Sequence, residues 1–108
     1  MTADDARGLA MGMREAAEQD HHGFPSFRVR GRIFATLPDE AHLNVMVDEQ
    51  QTQVATHCDP SWCAEILWGG RIRGVRVTLA AADPETVAEL IGDAWRRRAP
   101  ASLRKEGE

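Results

Sequence analysis

Phe24-Pro25-Ser26-Phe27-Arg28-Val29-Arg30-Gly31-Arg32-Ile33-Phe34-Ala35-Thr36-Leu37 is the stretch whose reading decides the fold. Phe27 and Val29 alternate with Arg28 and Arg30, the two-residue period of a strand with one buried face. Gly31 stands where a tight turn folds the chain back. Ile33, Ala35 and Leu37 then alternate with Phe34 and Thr36, so the stretch predicts a β-hairpin. Its register stays open, because Ile33 and Phe34 point to opposite faces of the second strand. Pro38-Asp39-Glu40 is a turn. Leu43, Val45 and Val47 alternate with Asn44, Met46 and Asp48 in a third strand. The three strands make an antiparallel meander.

Upstream, the chain reads as a helix from about Asp4 to Glu18. Thr2 or Asp4 caps its start, and Asp4 and Asp5 suit the positive pole of the helix dipole. Leu9, Met13, Ala16 and Ala17 share one side at helical spacing. His21-His22-Gly23 ends the segment, with Gly23 as the stop signal. Downstream, residues from Asp48 to about His57 read as a short polar helix capped by Asp48. Cys58 to Gly70 reads mostly as loop, with a short strand at Ala64 to Trp68. Gly74 to Ala80 is a strand. Asp83 caps the final helix and Pro84 occupies its first turn, where the missing N–H costs nothing. Val87, Leu90, Ile91, Ala94 and Trp95 form its apolar stripe. Arg96, Arg97 and Arg98 sit at its carbonyl pole, and Pro100 stops it. The sum is an α+β domain over residues 1–108. An antiparallel sheet of about five strands carries the N-terminal and C-terminal helices on one face. The ends, about 1–3 and 101–108, are expected to fray.

With 108 residues there is room for one core. No apolar run approaches the ~20 residues that span a bilayer. The acidic start, Met1-Thr2-Ala3-Asp4-Asp5, is unlike a secretory leader, so a cytoplasmic location is expected. Cys58 and Cys63 are the only cysteines, too few for a disulfide scaffold.

The net charge is −4, unlike the basic profile of a typical nucleic-acid binder, but the charge is unevenly placed. Arg28, Arg30 and Arg32 form one basic cluster. Arg71, Arg73 and Arg76 form a second, and Arg96, Arg97, Arg98, Arg104 and Lys105 a third. Between the first two, Pro38 to Gly70 holds six acids and no Lys or Arg. Arg presents a planar fork suited to phosphate. Strand parity sets Arg73 in phase with Val75 and turns Arg76 the other way. No Gly-rich phosphate loop, GxSxG elbow or HExxH helix is present, so no enzymatic activity is expected. His57, Cys58 and Cys63 lack a second pair of ligands, and neither a metal nor a cofactor is expected. Trp95 falls on a helical core stripe. Trp62 and Trp68 flank the loop and are candidates for a pocket or an interface.

Gly23-Phe24-Pro25-Ser26-Phe27-Arg28-Val29-Arg30-Gly31-Arg32-Ile33-Phe34-Ala35 resembles the leading motif of the MmcQ/YjbR family. Gly74-Val75-Arg76-Val77 resembles the family's strand before the closing helix, and Asp93-Ala94-Trp95-Arg96 with Ala99-Pro100 resembles that helix. The resemblance runs from about Leu9 to Leu103. It implies a small α+β fold related in shape to the frataxin-like CyaY proteins, and DNA binding. The strand beginning Arg71-Ile72-Arg73 lacks the Gly-Trp pair that members often carry. A frataxin-like variant would hold iron on Asp4, Asp5, Glu15, Glu18 and Asp20, but Arg7 and Arg14 interrupt these acids. Two functional expectations follow. In the first, a non-enzymatic domain contacts the phosphates of double-stranded DNA through Arg28, Arg30, Arg32, Arg71, Arg73 and Arg76 on the sheet. In the second, the domain pairs with a protein, or with itself, through its open sheet face and the Trp62/Trp68 loop.

Overall fold

A computed structural model describes residues 1–106 of the chain. The elements run α1 (Ala3–Met11), β1 (Ala16–His21), β2 (Phe24–Val29), β3 (Arg32–Thr36), β4 (His42–Val45), α2 (Glu49–Cys58), β5 (Cys63–Trp68), β6 (Arg71–Thr78), α3 (Pro84–Arg98) and α4 (Ala101–Glu106), with a single 3₁₀ turn at Leu79–Ala81. The six strands form one antiparallel sheet in the order β1-β2-β3-β4-β6-β5. The expected α+β class holds, with six strands rather than about five.

Three two-residue turns organise the sheet. His22-Gly23, Arg30-Gly31 and Gly69-Gly70 join β1 to β2, β2 to β3 and β5 to β6. Both residues of each pair have positive φ, between 51° and 92°. That is the type I′ requirement, and its twist matches the strands it joins.

The first turn, His22-Gly23, turns the end of an expected helix into a hairpin. The expected helix from Asp4 to Glu18 ends at Met11, and Ala16–His21 is an edge strand paired along its length with β2. Gly8 and Gly12 weaken the helix, while the I′ turn brings the following residues beside an unpaired strand edge. In the segment from Cys58 to Gly70, expected to be mostly loop, the short strand expected at Ala64 to Trp68 is present as β5 over Cys63–Trp68. Near the ends, about 1–3 and 101–108, where fraying was expected, two residues contact the rest of the fold. The Met1 ammonium donates to the Leu79 carbonyl at 3.0 Å, and Leu103 of α4 is buried. The expected fraying at 107–108 lies outside the described residues.

The caps follow the sequence. Thr2 and Asp5, and Asp48 and Gln51, form reciprocal capping boxes at α1 and α2. Asp83 accepts from the Thr86 N–H at the start of α3. The core joins Phe27, Ala35, Leu43, Val45, Val75 and Val77 of the sheet to Val87, Ile91, Ala94 and Trp95 of α3. Trp95 Nε1 donates to the Arg14 carbonyl at 2.9 Å, tying α3 to the α1–β1 connection.

Two register shifts set side-chain direction. Phe27 pairs with Ala35 but Arg28 with Ile33, so Phe34 has no partner on β2. This bulge settles the hairpin register: Phe34 and Ala35 are both fully buried although adjacent. Ile66 pairs with Gly74 but Leu67 with Ile72, which leaves Arg73 at a second bulge. Beside it, Gly74 presses on the neighbouring strand, where an added Cβ would overlap the Val45 carbonyl. Gly74→Ala is therefore expected to cost ~1–3 kcal/mol of stability in urea unfolding. Gly8→Ala, which meets open space on α1, is expected to add up to ~1 kcal/mol. Equal effects of the two substitutions would refute this packing.

Candidate nucleic-acid interface

The six arginines expected to share one surface are divided between the two sides of the sheet. Ser26, Thr36, Asn44, Arg76 and Ala64 form a cross-strand row on the side opposite the helices. Arg76 Nε donates to Asn44 Oδ1 at 3.4 Å in this row. Arg28 is on the same side, half-buried, and its Nε donates to Ser26 Oγ at 3.1 Å. Ser26 Oγ itself donates to the Gln19 carbonyl, so Arg28 is braced against the β1–β2 pair. Arg30, in the β2–β3 turn, forms a two-pronged ion pair with Glu15 at 2.7 and 3.0 Å. Its charge is answered within the molecule. Arg71 is exposed at the start of β6, opposite Trp68.

Arg32 and Arg73 belong to a different grouping. Arg32 pairs with the buried Val29, which turns it toward the helical side. Arg73 stands at the β6 bulge. Both bear electrostatically on Arg98, at the last turn of α3, as does its neighbour Arg97. Burial first, and then the positive charges of Arg97, Arg32 and Arg73, hold the Arg98 guanidinium below its ordinary pKa. Arg97 Nη1 donates to the Met46 carbonyl at 2.9 Å, which anchors the end of α3 to the residue after β4. Arg98 Nε is buried with no hydrogen-bond partner among the described residues. None of these four arginines is ion-paired with a described carboxylate. Arg96, by contrast, is paired with Asp93. The carbonyl pole of α3 offsets part of the repulsion.

Sequence spacing displays Arg97 and Arg98 only as cations suited to a helix end. What makes them part of a site is the path of α3 over β3 and β4, which sets its end beside Arg32 and Arg73. Nothing local in the sequence carries that information.

The tryptophans also separate. Trp62, expected with Trp68 at an exposed loop, is 7% exposed and belongs to the core. Trp68 is 75% exposed at the tip of the β5–β6 hairpin, beside Leu67 at 64%. The Arg73 guanidinium carbon lies 5.7 Å from the Trp68 ring centroid, within cation–π range.

The two cysteines differ in their surroundings. Cys63 is buried, and burial together with Asp59 pushes its thiol pKa up to about 11. Cys58 is exposed at the end of α2. One thiol per folded chain is expected to react with a water-soluble disulfide reagent near neutral pH, and the second only on unfolding. Two fast thiols in the native protein would contradict this assignment. Among the described residues no three His, Cys, Asp or Glu side chains gather as a metal site. Of the acids named for iron, Asp4 and Glu18 are paired with Arg7, and Glu15 with Arg30.

A family model described as YjbR matches residues 11–97. The crystal structure of Deinococcus radiodurans protein DR2400, which has a DUF419 domain, is similar with a TM-score of 0.77 at 21% identity. The match covers 97% of this chain and 86% of that one, and at such identity it speaks to the fold. No curated protein matches the chain.

Proposed function

Because the chain belongs to the YjbR family, we propose that it is a non-enzymatic binding domain that holds the phosphate backbone of DNA, and that Arg32, Arg73, Arg97 and Arg98 are the groups that hold it. The observation that carries this reading is the gathering of four guanidinium groups without a described counter-charge. Like charges held together raise the free energy of the empty protein. A bound polyanion relieves that repulsion.

Such binding is electrostatic, so it weakens steeply with salt. The net charge of −4 adds a general repulsion of DNA, which keeps the affinity modest and makes the local cluster decisive. A titration of duplex DNA at several salt concentrations tests the reading. Retardation at low salt that disappears at physiological salt is expected. No retardation at low salt would end it. No helix of the described residues is long and apolar enough to cross a membrane. We read the domain as acting in the cytoplasm, where DNA is accessible to it.

The second reading, pairing with another protein or a second copy, draws on the exposed Leu67 and Trp68. It loses Trp62 to the core and requires a complex in light scattering that Trp68→Ala dissociates.

A further inference from the structure

We propose that Trp68 is a stacking platform for an unpaired base, so that the DNA held by the arginine cluster is single-stranded at the point of contact. This inference rests on the nucleic-acid reading above and names its substrate class. Among the described residues Trp68 is the one Phe or Trp side chain that stands largely in solvent. It occupies the last position of β5, the edge strand, immediately before the two-residue Gly69-Gly70 turn. Leu67 beside it is exposed as well, so the hairpin tip presents apolar surface that the fold leaves uncovered.

The surroundings specify the occupant. Arg73 reaches the Trp68 ring and also bears on Arg98, so one guanidinium links the ring to the cationic cluster. Arg71 stands directly across the hairpin from Trp68. An indole face bordered by arginines matches a nucleotide: the base stacks on the ring and the flanking phosphates meet the guanidiniums. A base inside a duplex has both faces covered by its neighbours, and the ring cannot stack on it without disrupting the helix. An unpaired base offers a free face at no such cost. Stacking of this kind carries little sequence preference, since every base has a π-face.

The test measures the full chain against a labelled oligothymidylate and against a duplex of the same length, at one low salt concentration and then across a salt series. Trp68→Ala is expected to weaken oligothymidylate binding about ten-fold, to leave the salt slope unchanged and to leave duplex binding unchanged. Trp68→Phe, which keeps an aromatic face, is expected to retain most of the affinity. Because Trp68 is exposed, both variants should fold, and their unfolding midpoints confirm it. Single-strand binding indifferent to Trp68→Ala overturns the proposal, as does an equal loss on both DNA forms. If duplex binding persists in either of those cases, the arginine reading stands without the stacking platform. If the wild-type chain retards neither form at low salt, both readings fall.

Discussion

Replacing Arg32, Arg73 and Arg97 together with alanine is expected to abolish DNA binding at moderate salt and to flatten its salt dependence. Each phosphate neutralised on a duplex contributes about −0.9 to the slope of log K against log salt, so three lost contacts lower its magnitude by roughly 2.7. At ~1 kcal/mol per solvent-exposed contact, the loss is roughly 3 kcal/mol, about a hundred-fold in Kd at low salt. Arg98 is left in place because it is half-buried, and its removal would confuse lost packing with lost charge. Arg28→Ala with Arg76→Ala is the matched control. Both lie on the face opposite the helices, and each already donates to a neighbour, Ser26 and Asn44. Arg30→Ala is a second control, since Glu15 answers that charge. Should the open-face pair lower affinity while the triple variant does not, the cluster is not the binding site. The comparison is made by fluorescence anisotropy with one labelled duplex across a salt series.

Phe34→Ala is expected to cost ~3–5 kcal/mol of unfolding free energy, the largest effect of any single change discussed for the fold. A domain of this size has only ~5–15 kcal/mol to lose, so the variant should sit close to the limit of stability. The reason is the bulge. It leaves Phe34 without a partner on β2 and buries it completely beside Ala35. Removing the ring opens a cavity under α3, which packs on β3. Ile33 is only half-buried, opposite Arg28, and Ile33→Ala is expected to cost no more than ~1–2 kcal/mol. Urea unfolding monitored by circular dichroism gives both values. If Ile33→Ala proved the more damaging, the hairpin would carry the opposite register and Arg32 would face away from Arg98.

That dependence of Arg32 on a bulge shows where reading the sequence stops. The β2–β3 hairpin was legible because Phe27 and Val29 alternate with arginines around Gly31. The helix over Pro84–Arg98 was legible because its cap, its proline and its stripe agree. Asp48 likewise announced α2. Ala16–His21 was not legible as a strand. Its residues, Ala-Ala-Glu-Gln-Asp-His, are mostly exposed and show no alternation, so the strand exists only through pairing with β2. The sign missed there was His22-Gly23, which reads as a helix stop but acts as a hairpin turn. The arginines were legible as residues suited to phosphate, but not as a site. Arg30 was lost to Glu15, while Arg97 and Arg98 were gained from a helix.

Local chemistry could establish an α+β domain, its caps, most of its core and its stock of arginines. Those properties depend on neighbours a few positions apart along the chain, where periodicity and turn preference act. The choice of which guanidiniums stand together depended on cross-strand register, on two bulges that each reverse side-chain parity, and on where α3 ends above the sheet. These are relations between residues far apart in sequence. Electrostatic repulsion and anion binding act across space, so only the folded chain decided them.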